Sequence, residues 1–159
     1  MRLALYQPDI PGNAGAIMRT AVCVGVAVDI IGPCGFVLSE KQLRRAGLDY
    51  LDQLDLTSHS SWQAFQDARS SGVSMTISES RLVLLSTKAE KSYLEFSYLE
   101  NDILLVGRES AGVPEDVYTS ADSRVRVPME KDMRSLNVTA ALAMVLGEAL
   151  RQTHGFPDE

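Results

Sequence analysis

The 159-residue chain has few of the residues that cross-link small secreted proteins or bind metal ions. It contains two cysteines, Cys23 and Cys34, and two histidines, His59 and His154. Two cysteines make a poor disulfide framework, and we expect both to be reduced thiols in a protein of the cytoplasm. The histidines lie far apart in the sequence and lack the spacing of metal ligands, so we expect no metal site.

The sequence also lacks a long apolar run and an excess of positive charge. No run approaches the roughly 20 residues that span a membrane, and residues 1–6 lack the apolar region of a signal peptide, so we expect no membrane association. The formal net charge is −6 at pH 7. This charge argues against a protein whose whole surface binds nucleic acid, although a local basic patch is compatible with it.

Apolar runs alternate with amphipathic helical patterns along the whole chain. This alternation predicts a single α/β domain over residues 1–159, with a mainly parallel sheet and helices on both faces. The clearest predicted strands are residues 3–6, 26–31, 102–107 and 124–127. The predicted helices include residues 13–24, 39–47, 61–68 and 135–153, of which the first ends at Gly25.

Three of these strands lead through a loop with small polar or glycine residues towards a helix. The loops contain residues 11–13, 107–114 and 127–137. Ligands of open parallel sheets bind beyond the carboxyl ends of the strands, where helix N-termini offer unpaired N–H groups. Helix capping alone would also explain Asn13, Ser135 and Asn137. Because the pattern occurs three times, we favour a ligand site over capping alone.

The basic residues Lys41, Arg44 and Arg45 fall on one stripe of a predicted helix. They form a candidate basic face, to which further cations could contribute: Arg19, Arg124, Arg126, Lys131 and Arg134. The alternative is an ordinary solvated face, which is the usual meaning of such runs. No Gly-x-Gly-x-x-Gly motif follows the first strand, which disfavours a dinucleotide site.

In their order and spacing, the three loops resemble those of the SPOUT class of RNA methyltransferases. The resemblance covers nearly the whole chain and includes residues 5–11, 43–50 (Leu-Arg-Arg-Ala-Gly-Leu-Asp-Tyr), 86–88, 127–129 and 135–137. It implies a C-terminal trefoil knot, S-adenosylmethionine as methyl donor and a homodimer. The members most similar to this chain methylate the ribose 2′-hydroxyl of the wobble nucleotide in the tRNA anticodon loop.

The resemblance also implies roles for individual residues. It places cofactor contacts at Leu85, Gly107, Val127, Met129, Ser135 and Leu136. It implies catalytic roles for Arg19, Ser135 and Asn137 and substrate contacts from Asn13 and Glu109. From the candidate basic face we further expect substrate contacts from Arg44, Arg45 and Arg134. Because the pKa of arginine lies above ~12, we expect Arg19 to bind phosphate and to favour ionisation of the 2′-hydroxyl electrostatically, rather than to act as a base.

One loop departs from the family pattern. Gly107-Arg108-Glu109 stands where Gly-Pro-Glu is expected, and Ser110-Ala111 replaces a more usual Thr-Arg pair. An arginine is thereby displaced by three positions, a departure that concerns RNA contacts near this loop and not the cofactor pocket. Two alternative functions stay open: methylation of another RNA, such as ribosomal RNA, and a nucleotide- or small-ligand-binding module without catalysis.

Overall fold

A parallel sheet forms the centre of the structure, a computed structural model that describes residues 1–37, 51–71 and 80–158. Its strands are β1 (Arg2–Tyr6), β2 (Ala27–Ile31), β3 (Leu56–His59), β4 (Leu82–Leu85), β5 (Ile103–Val106) and β6 (Ser123–Val125). Within the described residues the strand order is β3-β2-β1-β5-β4-β6, and all neighbouring strands are parallel. The predicted parallel sheet is confirmed.

Helices cover both faces of the sheet, as predicted. The α-helices of the described residues are α1 (Pro11–Cys23), α2 (Trp62–Ser70), α3 (Glu115–Ser120) and α4 (Val138–Thr153). Successive residues of a strand point to opposite faces. Leu3 and Leu5 of β1 accordingly belong to the core that contains residues of α1 and α4, whereas Ala4 and Tyr6 belong to the core that contains residues of α2 and α3.

Two helix starts differ from the prediction. Helix α1 begins at Pro11 rather than Asn13, and its N-cap residue Ile10 makes no side-chain capping bond. Proline suits this first position because the N–H group that it lacks has no partner within the helix. Helix α4 begins at Val138, and Asn137 is its N-cap residue, so the prediction that Ser135 lies in the helix is wrong. 

The end of α1 agrees with the prediction. The C-cap residue is Val24, and Gly25 follows with a φ of 67°, a value that favours glycine. The predicted helix over residues 39–47 lies outside the described residues, and so do Lys41, Arg44 and Arg45.

The apolar face of α4 is covered within the chain. Leu142, Val145 and Ala149 are buried, and α4 packs against α1. The sequence pattern therefore identified the buried face of α4 correctly. This face packs into the core of its own subunit, so a second subunit would have to bind another surface of the helix.

Candidate functional site

A cavity of about 590 Å³ lies beyond the carboxyl ends of β4, β5 and β6. Leu85, Val106 and Val125, the last residues of these strands, contribute to its wall. Because the strands are parallel, the loops that follow them emerge at the same edge of the sheet. The volume lies in the range of small-molecule and cofactor sites.

All six residues predicted to contact a cofactor line this cavity. Apolar side chains come from Leu85, Val127, Met129 and Leu136, and Ser135 adds a hydroxyl group. The cavity combines this apolar surface with polar and charged groups, which include Asn13, Lys88 and Glu109, so it can hold an organic ligand that has both apolar and polar parts. The structure brings these residues together, and their contacts with a cofactor stay a prediction.

The loop after β5 forms a tight turn that requires glycine at Gly107. The N–H group of Arg108 donates to the carbonyl oxygen of Gly112 at 2.9 Å, and the N–H group of Gly112 donates back to Arg108 at 2.8 Å. A Cβ atom at Gly107 would lie 2.5 Å from the carbonyl carbon of Gly112. Gly112 itself has a φ of 67°. The backbone of this loop thus folds closely upon itself at the wall of the cavity.

Three of the predicted site residues form a continuous row of hydrogen bonds. The Oε1 atom of Glu109 accepts a bond from Nδ2 of Asn13 at 3.1 Å, and Oδ1 of Asn13 accepts one from Nδ2 of Asn137 at 3.1 Å. Oδ1 of Asn137 in turn accepts from the N–H groups of Thr139 and Ala140 at the start of α4. Asn13 therefore links two loops, and it does not cap α1, which was the alternative explanation of this residue.

Asp9 connects the loop after β1 to the loop after β5. Its Oδ1 atom accepts bonds from Nε and Nη2 of Arg108 at 3.1 and 2.7 Å. Its Oδ2 atom accepts from the N–H and hydroxyl groups of Ser110, and its own N–H donates to Oε2 of Glu109 at 2.8 Å. The hydrogen bonds from Arg108 and Ser110 lower the pKa of Asp9 to about 2. The sequence interpretation missed Asp9 and left Arg108 without a role.

Arg19 lies on the exposed side of α1 and does not belong to the described residues that line the cavity. It follows Asn13 by six residues, which is roughly 9 Å along a helix axis. Arg134, by contrast, stands in the exposed segment that leads to α4, next to Ser135. The structure thus does not bring Arg19 to the cavity within one chain.

Arg124 has a structural contact that the sequence did not reveal. Its Nε and Nη2 atoms donate to the carbonyl oxygens of Tyr118 and Thr119, and its guanidinium stacks 4.7 Å above the ring of Tyr118. Arg124 therefore fixes the end of α3. Its inclusion in a basic face stays a prediction, because hydrogen bonds to neutral carbonyl oxygens leave its positive charge in place.

Histidine and cysteine take no part in a metal site among residues 1–37, 51–71 and 80–158. No group of three or more potential metal ligands occurs there, and Cys23 and Cys34 are free. His59 instead contacts the buried carboxylate of Asp29 at 2.8 Å, and Nε of Arg2 donates to the same carboxylate. Among the same residues, no helix is both long enough and apolar enough to cross a membrane.

Comparisons with known proteins agree with this arrangement. The chain is 55% identical over 150 residues to a tRNA (cytidine(34)-2′-O)-methyltransferase of Beijerinckia indica, covering 94% of this chain and 90% of that protein. A solved structure concerned with 2-OH methylation of C/U34 on tRNA is 40% identical, with a TM-score of 0.85 and coverage of 95% of this chain and 94% of that chain.

A third similar protein was solved with its cofactor. The SpoU methyltransferase AviRb from Streptomyces viridochromogenes, in complex with AdoMet, is 27% identical to the chain, with a TM-score of 0.82 and coverage of 96% of this chain and 57% of that chain. The profile of one family matches residues 1–147. From this match and the identities above, the chain belongs to the SpoU rRNA methylase family.

Proposed function

We propose that the chain transfers the methyl group of S-adenosylmethionine to the ribose 2′-hydroxyl of the wobble nucleotide of tRNA. The observation that carries this proposal is the cavity at the carboxyl edge of the sheet, whose rim joins Glu109, Asn13 and Asn137 in one row of hydrogen bonds. The Beijerinckia indica relative, named for methylation of cytidine 34 in tRNA, supports the choice of nucleotide. Because tRNA is the substrate, we place the protein in the cytoplasm.

The cavity fits S-adenosylmethionine in both size and lining. Leu85, Val127 and Leu136 offer apolar surface for an adenine ring. The backbone of residues 107–112 and the hydroxyl group of Ser135 offer polar atoms for the ribose and the amino acid part. When bound, S-adenosylmethionine supplies a methyl group on a sulfonium, which is strongly electrophilic. The residues of the chain then have to align the acceptor hydroxyl with that methyl group.

Asn137 and Ser135 are the residues that we assign to this alignment. The amide of Asn137 is fixed, because its oxygen caps α4 and its nitrogen donates to Asn13. Ser135 stands two residues earlier on the cavity wall and has an exposed hydroxyl group. Glu109 contributes by holding Asn13 and Asp9, since each of its carboxylate oxygens accepts one of these bonds. We therefore assign Glu109 to positioning and not to proton removal.

A homodimer is the second part of the proposal, and it concerns Arg19. The remaining exposed surface of the α1–α4 pair contains Ala16, Arg19, Ala143 and Met144, the last with 44% of its surface exposed. Pairing of this surface with its copy would bring Arg19 into the subunit interface. An RNA strand bound across the interface would then meet Arg19, whose charge would hold a phosphate and favour ionisation of the 2′-hydroxyl.

The decisive experiment combines methyl transfer with mapping of the product. Purified protein and labelled S-adenosylmethionine, incubated separately with total tRNA and with ribosomal RNA, should give label at nucleotide 34 of tRNA. Label in ribosomal RNA instead of tRNA would favour the alternative target. Binding of the donor without transfer to any RNA would favour a ligand-binding module. Absence of donor binding in calorimetry at millimolar concentration would overturn the proposed function.

A further inference from the structure

Arg108 lies at the rim of the cavity, where an exposed arginine could contact bound RNA. Its side chain is 41% exposed. An arginine at the edge of a site for tRNA would ordinarily be assigned to a phosphate. In the structure, however, its Nε and Nη2 atoms both donate to Oδ1 of Asp9. The positive charge of Arg108 is therefore largely compensated by a carboxylate of the same chain.

Asp9 binds three consecutive residues of the loop after β5. Its carboxylate accepts from the side chain of Arg108 and from Ser110, and its N–H group donates to Glu109 between them. Asp9 thus holds the loop of residues 107–112 through its backbone N–H group and through both oxygens of its carboxylate. The hydrogen bonds from Arg108, and after them those from Ser110, lower the pKa of Asp9 to about 2.

The loop after β2 contacts the segment that contains Asp9. The N–H group of Gly35 donates to the carbonyl oxygen of Pro8 at 2.9 Å. A Cβ atom at Gly35 would lie 3.0 Å from the Cα atom of Asp9, so the two backbones are in close contact. The backbone at Asp9 is therefore packed against Gly35, and Asp9 connects this contact to the loop of residues 107–112.

We propose that Arg108 is a positioning residue for the methyl donor and not an RNA contact: with Asp9 and Ser110 it latches the loop of residues 107–112 against the cavity. The proposal rests on the proposed function, because it names the ligand of that cavity. Without the latch, the loop occupies its binding-competent conformation for a smaller fraction of the time. The apparent affinity for the donor falls by the same factor.

The first test measures donor binding without RNA. Calorimetric Kd values for S-adenosylmethionine are compared between the wild type, Arg108→Ala, Asp9→Asn and the double variant. We expect each single variant to raise Kd by about three- to tenfold. The double variant should add little, because the two residues act as one unit. Arg108→Lys, which keeps the charge but not the two-nitrogen contact, should give an intermediate Kd.

Arg151→Ala is the matched control for this test. It removes an arginine–carboxylate pair with Glu148 at the far end of α4, away from the cavity. Its Kd for the donor should equal that of the wild type. Melting temperatures of all variants, measured without ligand, show whether each one is folded at the temperature of the titration.

The second test separates the latch from a phosphate contact. If Arg108 bound RNA, Arg108→Ala would reduce the salt slope of tRNA binding by about 0.9, whereas Asp9→Asn would remove the compensating negative charge and tighten tRNA binding. We expect instead that both variants leave the salt slope unchanged. In steady-state assays both should raise KM for the donor and change kcat little.

The outcomes distinguish failure of the latch from failure of the proposed function. Wild-type affinity for the donor in folded Arg108→Ala and Asp9→Asn would overturn the latch, as would opposite effects of the two variants on tRNA binding. Absence of donor binding by the wild-type protein would instead overturn the proposed function.

Discussion

Gly107 is the residue at which one added carbon atom should disturb the cavity most. Its Cβ atom would lie 2.5 Å from the carbonyl carbon of Gly112, a distance that forces the backbone of the turn to move. We expect Gly107→Ala to weaken binding of S-adenosylmethionine by about tenfold or more, because a rearranged wall no longer fits the ligand. Calorimetric titration measures this effect.

Gly147 provides the control for that substitution. It lies inside α4, and a Cβ atom there would have no neighbour within 4 Å. Gly147→Ala should keep donor affinity and raise the free energy of unfolding by about 0.5–1 kcal/mol, because alanine loses less backbone entropy in a helix. Equal donor affinities in the two alanine variants would contradict the assignment of Gly107.

For single residues, contacts between positions far apart in the sequence could not be predicted. The family resemblance indicated the residues that line the cavity, because it aligns positions one by one. Asp9 and Arg108 are 99 residues apart, and their pairing depends on the meeting of two loops. The contacts of Arg124 could not be predicted for a related reason, since its partners are backbone carbonyl oxygens that no sequence pattern marks.

At the scale of the elements, Asn137 has two separable tasks. Its oxygen caps α4, and its nitrogen binds Asn13. Asn137→Ala should lower the free energy of unfolding by about 1 kcal/mol, whereas Asn137→Ser keeps a capping oxygen and should stay close to the wild type. Both variants should lose methyl transfer by about 10- to 100-fold, because Asn13 is no longer held.

Denaturant unfolding and single-turnover assays on the two variants separate these tasks. A fully active Asn137→Ser would show that the bond to Asn13 is dispensable for the transfer. An equal loss of stability in both variants would show that the serine hydroxyl does not replace the cap.

The C-terminal turn of α4 should respond to acid. The side chain of Arg151, followed by that of Gln152, lowers the pKa of Glu148 from 4.5 to about 2. A carboxylate with a depressed folded-state pKa stabilises the protein above the unfolded-state pKa and loses this contribution as the pH falls towards the folded-state value.

The melting temperature of Arg151→Ala should therefore lie slightly below that of the wild type at pH 7. This difference should disappear between pH 4.5 and 2, and it should be small because the pair is exposed. Calorimetric scans across this range provide the measurement, and a difference that grows on acidification would have the wrong sign for this explanation.

Element boundaries were predicted less well than the elements themselves. The runs that form β1, β2 and β5 are apolar on both sides, as expected for strands buried between two layers of helices. Both incorrect helix starts involve residues that also suit a cap, since Asn13 and Ser135 are favourable N-cap types. Local preference gave no means of distinguishing these positions from the true caps, Ile10 and Asn137.

At the scale of the whole molecule, the subunit state can be tested on the exposed side of α4. If the α1–α4 surface forms the dimer, Met144→Glu places a charge in an apolar contact and should shift the protein towards a monomer at micromolar concentration. Light scattering gives the mass directly. Leu99→Glu is the control, because Leu99 is 48% exposed and precedes β5, at the amino edge of the sheet.

A monomeric wild type would contradict the proposed homodimer. If the wild type and both glutamate variants are all dimers, the interface lies on another surface of the chain.

Binding of tRNA by an acidic protein requires cations that are not already paired. Within the described residues, carboxylates of the chain pair with Arg2, Arg69, Arg81, Arg108 and Arg151. Neutralising Arg44 and Arg45, which lie outside the described residues, should flatten the salt dependence of tRNA binding by about two units of slope. The affinity for the donor should not change.

A series of tRNA titrations at increasing salt tests this expectation. An unchanged slope in a double variant that still binds the donor would remove Arg44 and Arg45 from the RNA surface and leave them as part of a solvated helix face.

The architecture as a whole was predictable because its signal is distributed over many residues. Alternating apolar strands and amphipathic helices indicated a parallel α/β sheet with helices on both faces. The trefoil knot had no such signal, because the passage of one loop around another changes neither the periodicity nor the composition of a sequence. We expect the knot only because the chain belongs to the family.

The row of hydrogen bonds from α4 to Glu109 has a single direction. Each N–H group points away from the helix start and towards the carboxylate, from Thr139 to Asn137, then to Asn13 and then to Glu109. The dipoles of two amide groups are thereby aligned between the positive end of a helix and a negative charge. A fixed electric field consequently exists at the mouth of the cavity before any ligand arrives, and an incoming ribose enters an environment that is already polarised.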